Sequence, residues 1–219
     1  MEYQIRSFEA NDFDKLANFA TEVFVSKEPM AKTLGVKKSD LFPMIECLLV
    51  AALNTGLGTV AVGRDGKVFS FALSLECSTD PTLMLKVKLS NQVNSIFKFL
   101  DMLENRFFDL RSVSRSEVGV MLMVGTAFYR DILVENKSDW SKITPSVLQY
   151  ELDQLMQKGI KEVFVQSTGI KSQKYLEQFG FQSLYQQKYE DYYCPILKTK
   201  PFLNLAPEKC ILGFKECMR

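Results

Sequence analysis

Histidine is absent from this 219-residue chain. That removes the commonest general base, the commonest nitrogen ligand for a metal, and every Ser-His or Cys-His nucleophile pair. Any acid–base chemistry falls to carboxylate, tyrosine, hydroxyl, thiol or water. Paired cysteine motifs are missing too. Cys47, Cys77, Cys194, Cys210 and Cys217 are odd in number and never spaced CxxC. Neither a metal site nor a disulfide framework is expected, and the reducing cytoplasm is the expected setting. No run of Lys and Arg is long enough to track phosphates, and the net charge is only +1, so no nucleic-acid partner is expected. The longest apolar stretch, Cys47 to Leu53, is far short of the roughly 20 residues that span a bilayer. The opening Met1-Glu2-Tyr3-Gln4-Ile5-Arg6 lacks the basic-then-apolar order of a secretory leader. A soluble protein without membrane contact is the expectation.

What the chain does contain is an alternation of strand and helix patterns, with no repeat or linker. One domain over residues 1–219 is expected, of mixed α/β class. Tyr3 to Phe8 alternates like a first strand. Phe13, Leu16, Ala17, Ala20, Val23 and Phe24 follow at helical spacing. Residues 26–35 read as a loop, and a second helix follows from Ser39-Asp40. Asp65-Gly66 between two β-rich runs predicts a hairpin. Leu89 to Leu110 has a helical stripe. Val118 to Val134 reads as one long strand, with Gly125 as a bulge or break. Pro145 to Lys158 predicts a helix with a first-turn proline, closed by Gly159. Then come a strand at Val163–Val165, a short helix ending at Gly180-Phe181, and two late strands.

This order resembles the GCN5-related N-acetyltransferase (GNAT) superfamily, and most closely its arylalkylamine N-acetyltransferase-like members. Three stretches carry the resemblance. The first is Val23-Phe24-Val25-Ser26-Lys27-Glu28-Pro29-Met30. The resemblance implies that Glu28 is the general base, taking the proton an ammonium must lose before its nitrogen attacks a thioester. The plain alternative is an ordinary loop glutamate before a proline. The second is Leu133-Val134 leading to Asp139-Trp140-Ser141-Lys142-Ile143-Thr144. Members of the superfamily hold the acyl-CoA pyrophosphate there on a glycine-rich loop before a helix. By the match Asp139 stands at the usual Arg/Gln position, Lys142 at the first glycine and Thr144 at the last small residue. Glycines let the backbone approach phosphates closely, and here there are none. Lys142 could substitute a charge contact and Thr144 a hydroxyl. The alternative is a polar-capped helix start without a ligand.

The third stretch is Ser167-Thr168-Gly169-Ile170-Lys171-Ser172, with Tyr175, Leu176, Gly180-Phe181 and Tyr189-Glu190-Asp191-Tyr192. The resemblance places Ser172 near the thioester sulfur, to relay a proton to the leaving thiolate. Ser172 as a helix N-cap is the alternative. The tyrosine that many members use as general acid falls on Leu176 here, with Tyr175 one residue away. Together these imply a GNAT fold: about seven strands in a mixed sheet, splayed between the fourth and fifth, with helices on both faces. They imply acetyl transfer from acetyl-CoA, as cosubstrate, to a small primary amine, by a monomer or homodimer. Acyl-CoA contacts are expected from Leu133, Val134, Asp139, Trp140, Lys142, Ile143, Thr144, Thr168 and Tyr175. Phe42, Tyr189 and Tyr192 are candidates for the amine pocket. A competing expectation is a non-catalytic GNAT-like protein that binds CoA weakly or a protein partner.

Overall fold

The computed structural model describes residues 3–78, 87–126 and 137–217. Strand β1 (Tyr3–Ser7) pairs antiparallel with β2 (Thr59–Gly63), and β2 turns back into β3 (Val68–Glu76). The hairpin expected at Asp65-Gly66 is this turn. Gly66 sits at φ +73°, a backbone that suits glycine. β4 (Val118–Thr126), β5 (Glu162–Ser167), β6 (Gln182–Lys188) and β7 (Lys209–Glu216) complete a sheet of seven described strands, in the order β1-β2-β3-β4-β5-β7-β6. Only the β4–β5 pair is parallel among them. The expected mixed sheet is therefore present.

Helices cover both faces. On one lie α1 (Phe13–Lys27), α2 (Pro29–Thr33), α3 (Lys38–Thr55) and α4 (Asn91–Leu110); on the other lie α5 (Lys137–Gln157) and α6 (Ile170–Gln178). The stripe of α5, with Val147, Leu148, Leu152 and Leu155, packs on Ala61, Ala72, Met121 and Val163. The opposite face of β4 gives Val118 and Val120 to Phe107 of α4 and Phe164 of β5. Phe107 and Phe164 stack with centroids 4.7 Å apart.

Three expectations change. Residues 26–35 are not all loop, because Pro29 opens the short α2; proline's fixed φ suits a first helical position. The bulge in β4 is at Leu122, not Gly125: Leu73 pairs with Met123 and Ser74 with Met121. The extra residue flips the alternation, so Met121 faces α5 while Met123 joins the opposite core. Gly125 is needed for a different reason. A Cβ there would stand 2.3 Å from Cε1 of the fully buried Phe71. The described β4 ends at Thr126, and residues 127–136 of the expected long strand lie outside the described residues.

The third change concerns α5. It is already helical at Lys137, the first described residue of this stretch, so Pro145 is inside the helix and residues 139–144 are helix, not loop. The signal was in the pattern. Ile143 lies four residues before Val147 and is buried with it. Burying an isoleucine gives about 1.5–3 kcal/mol, against the ~3 kcal/mol cost of an interior proline. The two are close to balance, which is why proline alone misplaced the helix start.

Candidate active site

The sheet opens between β4 and β5. Their parallel ladder runs only from Val118/Glu162 to Met121/Val165, and the bulge at Leu122 directly follows its last pair. Beyond it β4 stays with β3 up to Thr126, and β5 stays with β7 up to Ser167. The C-terminal end of α1 closes on this opening, because a Cβ on Gly125 would lie 3.1 Å from Val23 Cγ1.

Glu28 stands at that point as the hinge between two helices. Its N–H donates to the Phe24 carbonyl at 2.9 Å, ending α1. Pro29 forces the preceding residue out of helical geometry, and Glu28 has φ −71°, ψ 123°. Its Oε2 then accepts the Ala31 N–H at 2.5 Å, capping α2. The residue is half-buried, yet its carboxyl end is enclosed: Oε1 is shielded from solvent and makes no hydrogen bond of normal geometry among the described residues. Burial pushes its pKa up, opposed by the Ala31 and Met30 N–H groups and the Thr168 hydroxyl.

Thr168, just past β5, brings in further groups. Tyr189 donates its hydroxyl to the Thr168 carbonyl at 3.0 Å. Burial, with Cys210 and Glu28 nearby, holds that phenol above its ordinary pKa. Burial and Glu28 likewise raise the Cys210 thiol. Tyrosine and cysteine stay protonated, so Glu28 is the group of this cluster able to take a proton. Pro29 and Ser172 both approach Gly169, where a Cβ would lie 3.6 Å from Pro29 Cγ and 3.7 Å from Ser172 Oγ. Ser172 Oγ donates to the Gly169 carbonyl at 2.8 Å and accepts the Gly169 N–H at 3.2 Å. The N-cap of α6 is therefore Gly169 and not Ser172, which is the third residue of the helix and returns its side chain to the Gly169 N–H.

No protein-family model matches the chain, and no curated protein does. Solved structures match along its whole length. The C-terminal condensation domain of Ebony in complex with beta-alanyl-dopamine superposes with TM-score 0.84, at 16% identity over 99% of both chains. Arylalkylamine N-acetyltransferase 2 from Aedes aegypti gives 0.79, at 15% identity over 100% of both. A polyamine N-acetyltransferase of Drosophila melanogaster gives 0.70, at 15% identity over 98% of this chain and 100% of that one. The chain has the GNAT fold.

Within that GNAT fold the sequence-derived residues divide. Glu28, Thr168 and Ser172 come together beside the splay. Tyr175 is half-buried on α6 and packs in the core under α5. Leu133 and Val134 lie outside the described residues, and for Asp139 and Trp140 only the helical backbone is described. Lys142 is exposed, whereas Ile143 and Thr144 are buried. Tyr189 and Tyr192 belong to an aromatic core with Phe99 and Phe202; Phe99 meets Tyr192 edge-on at 4.9 Å. Phe42 instead lines a separate surface cavity of about 360 Å³ between α1 and α3. No local motif ties Cys210 to Glu28. Only the β5–β7 pairing brings β7 beside Thr168. Among the described residues no grouping is suited to a metal ion, and no helix is long and apolar enough to cross a membrane.

Proposed function

We propose that this chain is a thioester-dependent N-acyltransferase acting on a small primary amine, with acetyl-CoA as its reference cosubstrate. The observation that carries the reading is the enclosed Glu28 carboxyl, one oxygen of which makes no hydrogen bond of normal geometry, at the mouth of the β4–β5 splay. An unpaired buried carboxyl is costly unless a partner arrives, and a substrate ammonium is such a partner. Proteins of similar fold include agmatine and polyamine N-acetyltransferases, and a condensation domain holding beta-alanyl-dopamine.

In the proposed reaction Glu28 takes one proton from the ammonium. The freed nitrogen attacks the thioester carbonyl, a C–N bond forms, the C–S bond breaks, and the departing sulfur is protonated to thiol. A carboxyl with a raised pKa is better matched to this work near neutral pH. Ser172, in the first turn of α6, is proposed to lie toward the sulfur and to relay to it the second proton that the nitrogen loses as the amide forms. Thiol release measured against a panel of amines tests the activity. Glu28→Gln should lower turnover about 100-fold while preserving the α2 cap. A change in KM alone would reduce Glu28 to a binding role.

A second reading has its own observation. Residues 139–144 are helical and contain no glycine, so a non-catalytic GNAT-like protein that holds a protein partner fits the same backbone. It predicts no thermal shift with acetyl-CoA and no thiol release with any amine.

A further inference from the structure

Strand β6 ends the described sheet: β7 lies on one side of it and no described strand on the other. An unpaired edge is a template for another strand unless something blunts it. A bulge at Leu184 does so in part, because Ser183 pairs with Gly213 and Tyr185 with Leu212. The straight edge that remains is Tyr185 to Lys188.

Helix α4 runs alongside β6 in the opposite direction. The Arg106 guanidinium lies 5.2 Å over the Tyr185 ring, and the Phe99 and Tyr189 ring centroids are 5.4 Å apart. Between helix and strand is a surface groove of about 480 Å³, whose lining includes Lys98, Asp101, Arg106, Asp109, Tyr185 and Gln187. The charged groups are exposed and alternate in sign along the helix. Lys98 and Asp101 are three residues apart, and so are Arg106 and Asp109. Reversing this stripe about its midpoint sets Lys98 opposite Asp109 and Asp101 opposite Arg106. The stripe is thus its own complement read backwards. Its midpoint, between Leu103 and Glu104, stands beside Gln186 and Gln187, the middle of the straight edge.

We propose that α4 and β6 form the interface of a homodimer, the second copy adding antiparallel at the β6 edge. The proposal does not depend on the N-acyltransferase reading above. A two-fold axis normal to the sheet relates the copies, so both α4 helices lie on one face and run antiparallel. Strand pairing centred between Gln186 and Gln187 sets Tyr185 opposite Lys188 of the second copy and opposes no like charges. Across the helices Lys98 meets Asp109 and Asp101 meets Arg106, each twice by symmetry. Helix and strand call for the same axis, and that agreement singles out a second copy. An unrelated partner need only complement the stripe and imposes no such symmetry on it. The interface is small and polar, which corresponds to a Kd on the order of micromolar.

Analytical ultracentrifugation of the whole chain across the micromolar range tests this. At low salt the parent should pass from monomer to dimer, and molar salt should weaken the association about tenfold. Lys98→Glu and Asp109→Lys alter exposed groups. Each should raise Kd by about tenfold, since symmetry turns two attractions into repulsions at once. The double variant Lys98→Glu/Asp109→Lys should return to within about threefold of the parent. Hydrogen exchange should slow with rising concentration at those amides of residues 185–188 that point away from β7. A chain that stays monomeric throughout overturns the proposal and leaves the stripe to another partner or to solvent. A dimer indifferent to the single variants, or not restored in the double variant, places the interface elsewhere and overturns it as well.

Discussion

Glu151 lies outside the candidate site, yet replacing it should change how stability depends on pH. It projects from α5 into the sheet and is fully buried. Thr59 Oγ1 donates to its Oε2 at 2.7 Å. Gln154 Nε2 donates to the same Thr59 Oγ1 at 2.9 Å, and Ser7 Oγ donates to Gln154 Oε1 at 3.3 Å. Oε1 makes no hydrogen bond of normal geometry among the described residues. Burial pushes the pKa of Glu151 from an ordinary 4.5 up to about 7, against the opposing pull of Thr59 and Ser74. That displacement is worth about 3 kcal/mol. The sign follows from which state holds the proton. Below pH 4.5 both folded and unfolded chains are protonated, and burial carries no ionisation penalty. As pH rises toward 7 the unfolded chain releases its proton while the folded one keeps it, so stability is lost across that window. Above 7 the loss levels off. Glu151→Gln removes the titration and keeps the shape. In urea unfolding at pH 5 and pH 8, the variant should gain about 2 kcal/mol on the parent between the two conditions. In thermal melts this is about 5 °C for a chain of this size. Parallel pH curves for parent and variant would refute the reasoning and show that Glu151 is ionised in the folded protein.

The remaining predictions concern the site and its supports. Because Glu28 is raised by burial, the acid limb of kcat/KM should fall at a pH above the ordinary glutamate value, and Glu28→Gln should lack that limb. Gly125→Ala forces a methyl group against the ring of Phe71, 2.3 Å away and fully buried; urea titration should show a loss of about 2–3 kcal/mol. Ile143→Ala removes the anchor of the first turns of α5 and should cost about 3 kcal/mol. Hydrogen exchange should then show amides 141–144 losing protection, while those after Pro145 keep it. Arg111→Ala leaves the buried Glu162 carboxylate without its 3.1 Å Nε partner and uncovers Phe214, 4.4 Å beneath the guanidinium. Chemical unfolding should register about 2 kcal/mol, the half-exposed arginine lowering the figure for a fully buried pair.

The sequence by itself determined the class of sheet and the order of most elements. Periodicity of two at Tyr3–Ser7 and of about 3.6 along Phe13–Lys27 reflects which side chains must leave water, and that is a local property. Asp65-Gly66 worked for the same reason, since a positive φ restricts its own backbone whatever surrounds it. The start of α5 was not legible. It depended on whether Ile143 finds Val147 and the sheet beneath, a gain that nearly cancels the cost of Pro145. Tertiary structure alone decided the rest. It moved the irregularity of β4 from Gly125 to Leu122, because only the packed Phe71 ring shows what glycine is for at 125. It also enclosed the carboxyls of Glu28 and Glu151, which look like any other glutamates in the chain. Burial of a charge is a sum over neighbours distant in sequence, such as Thr168 and Tyr189 for one and Thr59 and Ser74 for the other, and no local pattern records that sum.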